Sequence, residues 1–221
     1  MKRIVISLLC LFLCSCASLH TAGTHQINPE PIRNIEIVVY QGGWVSESSI
    51  RDLIQETSEQ WLEQFGITFS VKTIVPISWE HYVFGYANVV RQMINPARKS
   101  GLLNKDTIVV GFYRMQPHEY IITGIYGWVA CIDDRWRRFI VMKEVDSVSL
   151  SHELGHAFTY QHDDNVFSLM APMQFPIVPY TLLVLRGTSI TDSIYETIMK
   201  NKWRSFDEVV DESVTEAILG L

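Results

Sequence analysis

Three histidines and one glutamate lie close together in the stretch "SHELGHAFTYQH", where their types and spacing could support metal chemistry. His152 and His156 are four positions apart, so in a helix they share one face about 6 Å apart along the axis. Neutral imidazole nitrogens are good zinc ligands, and a catalytic zinc site uses three protein ligands and a water. The pattern therefore predicts two ligands, with Glu153 beside them as the base that acts on the water.

A third ligand must come from elsewhere, and His162 is the nearest candidate. A continuous helix would carry His162 about 15 Å along the axis from His152, too far to share an ion. The helix must therefore end near Thr159 and the chain must turn back. A second ligand set keeps the first two histidines and takes a carboxylate instead, from Asp163, Asp164 or Glu196.

The helix that positions these residues can be delimited from the sequence. Asp146 is a suitable N-cap for a helix that begins at Ser147. Leu150, Leu154 and Phe158 fall opposite the imidazoles, so the helix can bury one face and present the histidines to a cleft.

The chain before this helix alternates between β-branched runs and helical periodicity, which predicts a β-α-β-α-β order. The predicted strands cover residues 35–40, 67–75 and 106–113. The predicted helices cover residues 46–65 and 82–94.

Two further strands are predicted at residues 119–129 and 137–142. The charged segment "DDRWRR" between them reads as a solvated hairpin tip, because paired aspartates favour turns. Helices are predicted at residues 191–203 and 206–219.

The histidine pattern resembles the metzincin zinc peptidases, whose motif is H-E-x-x-H-x-x-G-x-x-H followed by a Met-turn. This chain has His152-Glu153-x-x-His156-x-x-Thr159-x-x-His162, followed by "SLM" at residues 168–170. The resemblance implies that the three histidines bind Zn²⁺ and that the glutamate activates the water.

The same resemblance implies that Met170 forms a hydrophobic floor beneath the metal. The "LMAP" segment resembles the matrixin branch, which has L-M-Y-P, whereas Asp163 after the third histidine resembles the adamalysin branch. Ala171 replaces the matrixin tyrosine and Thr159 replaces the family glycine. A β-branched residue with positive φ is strained, so either the turn differs here or zinc binding offsets the strain.

The fold implied by the resemblance is α+β, a metzincin-like zinc peptidase domain with a twisted mixed sheet, an active-site helix and C-terminal helices. A peptide or protein substrate would lie antiparallel along an edge strand, which we assign to residues 119–129. Residues 174–183 would line the pocket beyond the scissile bond.

The N-terminus predicts export. Two cations, an apolar stretch and small residues form a secretory signal at residues 1–15, and "LCSC" resembles the bacterial lipobox. This resemblance nominates Cys16 as the lipid anchor of a cell-envelope lipoprotein. Residues 16–34 are then a tether, and residues 35–221 the metallopeptidase domain.

Composition limits the possible partners. The formal net charge of −6 gives no electrostatic reason to expect a nucleic-acid partner. With Cys16 acylated, Cys131 has no intrachain partner, so the domain must fold without disulfides, and we interpret Cys131 as a small buried apolar residue. We expect a monomer.

Two functions follow from these observations. The first is a zinc-dependent endopeptidase, in which zinc polarises the scissile carbonyl and Glu153 takes a proton from water and delivers it to the leaving amine. The alternative is an envelope-anchored peptide- or protein-binding lipoprotein whose zinc site is structural or degenerate.

Overall fold

The computed structural model describes residues 29–80, 86–114, 129–165, 168–171 and 188–210. Several sequence predictions lie outside this part of the chain: the signal segment, Cys16, most of the tether, residues 119–128 of the proposed substrate strand, and residues 174–183. In the described part, no helix combines the length and apolar character needed to cross a bilayer.

The elements follow the predicted β-α-β-α-β order. In chain order they are β1 (Arg33–Gln41), α1 (Glu47–Phe65), β2 (Ile67–Pro76), α2 (Tyr86–Lys99), β3 (Thr107–Phe112), β4 (Ala130–Ile132), β5 (Phe139–Met142), α3 (Ser147–His156) and α4 (Asp192–Lys200). The predicted helix at 82–94 extends to Lys99, and the strand predicted to begin at Ile35 begins at Arg33.

The five strands form one mixed sheet in the order β2-β1-β3-β5-β4. β1, β2, β3 and β5 are parallel, whereas β4 at the edge runs antiparallel to β5. The register pairs Cys131 with Val141 and places β4 beside the strand that leads into α3. The predicted α+β class with a mixed sheet is therefore confirmed.

Helices cover both faces of the sheet, which explains why its central strands are continuously apolar. Ile37 and Val39 point to a core that includes α1, α3 and α4, while Val38 and Tyr40 point to a core that includes α2. Trp61 of α1 contacts Phe158 just beyond α3, with ring centroids 5.7 Å apart. This contact ties the end of α3 to the main core.

The interpretation of residues 133–138 as a solvated tip is wrong. Asp133, Arg137 and Arg138 are buried. Asp133 accepts hydrogen bonds from the backbone N–H groups of Trp136, Arg138 and Phe139. Arg138 donates to Asp207 at 2.6 Å and to backbone carbonyls, which secures buried charge by hydrogen bonding.

The prediction of a helix beginning at residue 206 is also wrong for the residues described. Residues 206–210 are turns and irregular backbone. The N–H of Phe206 donates to Lys105 and the N–H of Val210 donates to Arg135. In a helix that begins at residue 206, the N–H of Val210 would donate to the carbonyl of Phe206, and it donates to the carbonyl of Arg135 instead.

Candidate metal centre

Local chemistry sets the start of α3. The side chain of Asp146 accepts a hydrogen bond from the N–H of Ser149 at 2.7 Å, which makes it the predicted N-cap. Leu150 and Leu154 are fully buried in the main core. The helix is thus fixed by its apolar face, and its opposite face is directed to the metal centre.

The three histidine side chains converge. The Nε2 atom of His156 lies 3.1 Å from that of His152 and 3.1 Å from that of His162. The chain therefore does reverse after Thr159, as the spacing requires if His162 is to join the other two. In the described residues these histidines form the one group of three or more His, Cys, Asp or Glu side chains close enough to share an ion.

Backbone carbonyls orient two of the three rings. Nδ1 of His152 lies 2.6 Å from the carbonyl oxygen of Leu169, and Nδ1 of His156 lies 3.2 Å from that of Thr159. A carbonyl oxygen only accepts, so each Nδ1 carries the proton and each Nε2 presents a lone pair. Such outer hydrogen bonds fix the tautomer and ring orientation of metal-binding histidines.

The electrostatics keep the imidazoles neutral. Burial, and then the neighbouring His152 and His162, lower the pKa of His156 to about 3. Burial also lowers the pKa of His152 and of His162. At neutral pH the three rings are therefore in the form that binds a metal.

This arrangement fits zinc. The Nε2 lone pairs of His152 and His156 face one another at 3.1 Å and repel, and a cation between them relieves this repulsion. Tetrahedral zinc with bonds of about 2.0 to 2.1 Å separates ligand nitrogens by about 3.3 Å, close to the observed spacing. His152, His156 and His162 are thus the residues that would hold the ion.

Glu153 lies on α3 between the two helical ligands, and only 7% of its surface is exposed. Within the part of the chain described, no donor hydrogen-bonds to its carboxylate. Burial raises its pKa to about 8. A buried carboxylate without a donor beside a metal site is available for proton transfer.

Met170 is fully buried and lies directly against α3. A Cβ at Gly155 would collide with the Met170 sulfur, so the motif needs a residue without a side chain at this position. The turn at Leu169 and Met170 thus packs beneath the helix and also supplies the carbonyl that orients His152.

The turn after α3 differs from one built on a left-handed glycine. Of the non-glycine residues described, only Arg137 has positive φ, so Thr159 adopts an ordinary backbone conformation. The N–H groups of Phe158 and Thr159 both donate to Gly155. The Thr159 hydroxyl accepts from the N–H of Gln161 at 3.1 Å, a local turn that glycine could not make. Of the two possibilities left open by the sequence, the different turn is correct.

Side chains from distant segments cap the carbonyl end of α3. The side chain of Arg137 donates to the carbonyl of His156 at 3.3 Å. Those of Arg204 and Asn201 donate to the carbonyls of Ala157 and Phe158, at 2.5 Å and 2.7 Å. These carbonyls would otherwise lack helical partners. Sequence reasoning missed these capping residues because they lie 19, 47 and 43 positions from their acceptors, with no local pattern that marks them.

The carboxylate alternatives for the third ligand are not brought to the site. Asp163 accepts from the Thr191 hydroxyl at 2.6 Å and from the N–H of Asn165 at 3.0 Å. Its own N–H donates to Met170 at 2.8 Å. Asp163 thus ties the loop that carries His162 to the Met170 turn, while Asp164 and Glu196 are outside the histidine group.

Comparison with known proteins gives a fold but no close relative. No protein-family model matches the chain, and no curated protein matches its sequence. Among solved structures, an archaemetzincin from Methanopyrus kandleri superimposes on 80% of this chain and 99% of its own, with a TM-score of 0.51 and 17% sequence identity. This likeness confirms the predicted metzincin-like fold, and at this identity it shows the fold alone.

Proposed function

We propose that this chain is a zinc-dependent endopeptidase of metzincin type. The observation that carries the proposal is the convergence of the ring nitrogens of His152, His156 and His162, with the buried carboxylate of Glu153 carried on the same helix. A purely structural three-histidine site has no use for such a carboxylate, whereas hydrolysis of a peptide bond requires a base beside the metal. The metzincin-like fold agrees with this assignment.

The roles of the chain's own residues follow from their positions. When bound, zinc supplies a Lewis acid that polarises a carbonyl and makes water more acidic. His152, His156 and His162 hold the ion, and Met170 packs beneath the helix that carries two of them. Glu153, in its ionised form, would accept a proton from the attacking water and deliver it to the leaving amine.

The edge strand β4 is the proposed binding site for an extended peptide. Among the described residues β4 pairs only with β5, and a peptide would add as a further strand on its other side. Glu153 lies near enough to this strand to raise the pKa of Cys131, after the larger effect of burial. A peptide paired with β4 would therefore pass close to Glu153.

The decisive experiment compares Glu153→Gln with the native chain. We expect the variant to retain one zinc per chain and to lose chelator-sensitive cleavage of a broad peptide library by at least about a hundredfold, as for loss of a general base. Glu63→Gln, on the exposed surface of α1, is the matched control and should cleave normally. Undiminished cleavage by Glu153→Gln would refute the role of this residue.

The binding-protein alternative makes a different prediction for the native chain. It requires zinc in the purified domain together with no chelator-sensitive cleavage of any peptide in the library.

His162→Ala distinguishes a three-histidine site from a two-histidine site, because loss of one ligand should reduce zinc affinity by at least about a hundredfold.

We further propose that the chain is exported and held at a membrane of the cell envelope through a lipid on Cys16. The support is the N-terminal signal pattern and its lipobox. Incorporation of tagged palmitate should require Cys16 and should be absent from Cys16→Ser. Equal incorporation in both proteins would reject the anchor.

A further inference from the structure

A cavity of about 390 Å³ lies behind the loop that connects α3 to His162. It is lined in part by Arg137, Phe158, Thr197, Asn201, Arg204 and Val210. Its volume is within the range of small-molecule sites, and its wall combines two guanidinium groups with apolar surface.

Arg137 is the unusual residue of this cavity. It is 6% exposed, and its guanidinium lies over the ring of Tyr160. In the described chain it donates one hydrogen bond, to the carbonyl of His156, and forms no ion pair with a carboxylate. Its backbone has φ of 53°, a left-handed conformation that is uncommon for a side chain of this size. Because Arg137 donates only one hydrogen bond in the described chain, most of its N–H groups can donate to a ligand. Residues with strained backbones of this kind are concentrated at ligand sites.

Arg204 places a second positive charge at the same cavity. It donates to the carbonyls of Ala157 and Trp136, and more distantly at 3.5 Å to that of Glu208. Burial lowers the pKa of Arg137 to about 10, with Tyr160 raising it and Arg204 lowering it, so the group remains charged at neutral pH. Two like charges behind one loop are stabilised by an anion between them.

The nearby carboxylates do not occupy that position. Asp133 and Asp134 favour the charge of Arg137. Asp133 is engaged with backbone N–H groups of its own loop. Glu208 lines the cavity with an exposed side chain, and its negative charge disfavours a ligand that carries more than one.

We propose that this cavity is a binding site for a small organic monocarboxylate with an apolar body. Its carboxylate accepts hydrogen bonds from Arg137 and Arg204, for which the planar guanidinium group is well matched. Its apolar part packs against Val209 and Val210. The site is separate from the histidine centre and does not depend on the proposed peptidase activity.

The test is calorimetric titration of the full chain with N-acetylleucine, and with N-acetylleucinamide as the uncharged match. We expect the carboxylate to bind at least tenfold more tightly than the amide, with equal affinity in zinc-loaded and zinc-stripped protein. Binding only to zinc-loaded protein would place the ligand on the metal and overturn the proposal, as would equal binding of acid and amide or no binding of either. Binding of inorganic phosphate in place of N-acetylleucine would overturn it too.

Variants locate the site. Arg137→Gln should weaken N-acetylleucine binding at least tenfold, whereas Arg51→Gln, with the same charge change on the surface of α1, should bind as the native chain does. Thr197→Glu adds a negative charge at the cavity, on a partly exposed face of α4, and leaves the caps of α3 untouched. This variant should also weaken N-acetylleucine binding, and it tests the site even if Arg137→Gln does not fold. Unchanged affinity in Thr197→Glu would overturn the proposal.

Discussion

Helices α1 and α3 end in opposite ways. The end of α1 is local: Gly66 has φ of 62°, and its N–H donates to the carbonyls of Leu62 and Trp61. Such left-handed glycine caps are common, and a glycine just after an apolar-periodic segment predicts one from sequence. The end of α1 is therefore specified within a few residues.

The end of α3 is built by the tertiary structure. It has no left-handed residue, and the carbonyls of its last residues accept from Arg137, Asn201 and Arg204. The loop that follows brings His162 to the other two histidines. The comparison teaches that a routine helix end can be local, whereas the end that positions His162, a candidate metal ligand, is held by several distant side chains.

The largest effect we expect is on the pH dependence of stability and comes from Glu153 in α3. Glu63, near the end of α1, is the matched control. The folded-state pKa of Glu153 is raised to about 8, above its unfolded value of about 4.3, so the folded protein binds more protons in this interval. In metal-free protein this contribution should lower the free energy of unfolding as pH rises from about 4.5 to 8, by an amount on the order of 4 kcal/mol. Below about pH 6.5 the three histidines, whose pKa values are lowered by burial, add a slope of opposite sign, so the effect of Glu153 is isolated between about pH 6.5 and 8. In that upper part of the range urea unfolding should show a fall of about 2 kcal/mol that Glu153→Gln removes. Glu63→Gln, near the end of α1, should retain it, and an identical slope in both variants would contradict the prediction.

Removing a distant cap should come next. Arg204→Met keeps much of the side-chain length but leaves the carbonyls of Ala157 and Trp136 without this donor. We expect the free energy of unfolding to fall by about 3 kcal/mol, since hydrogen bonds from charged groups are strong and buried acceptors are costly to leave unpaired. Zinc affinity, measured against a competing chelator, should fall at least tenfold, because the loop to His162 loses its support. Arg51→Met on α1 is the control, and unchanged zinc affinity in Arg204→Met would show that the cap does not position the ligand.

Breaking the local cap should affect stability alone. Gly66→Ala puts a side chain on a left-handed backbone and drives its Cβ into the Pro29 carbonyl. We expect a loss of about 2 kcal/mol in thermal or urea unfolding, from backbone strain. Zinc affinity should stay within twofold of the native value. A large loss of zinc affinity would mean that the two helix ends are coupled.

The smallest effect should come from restoring the family's glycine at the end of α3. Thr159 does not have positive φ, so Thr159→Gly relieves no strain and removes the hydroxyl that accepts from Gln161. We expect a loss of about 1 kcal/mol in the free energy of unfolding and a few-fold loss of zinc affinity. A gain in stability would instead reveal strain at this position.

Local sequence patterns predicted most of the scaffold. The β-α-β-α-β order, the Asp146 cap and the helical face shared by His152 and His156 all depend on short-range periodicity. The prediction of a solvated tip failed at "DDRWRR". A run of charged residues is solvent-exposed only when the folded chain offers no hydrogen-bonding partners that allow the charges to be buried. Arg138 has such partners, and they come from segments far along the chain.

The sequence by itself determined that His152 and His156 share one face of a helix, because helix geometry places residues four apart on one face whatever surrounds them. It also required a chain reversal before His162, because a straight helix cannot bring that ring to the other two. Only the tertiary structure decided how the chain reverses, with an ordinary backbone at Thr159 and caps from Arg137, Asn201 and Arg204. The physical reason is that unpaired carbonyls at a helix end accept from any donor the fold brings near, and that proximity is not encoded in the residues beside them.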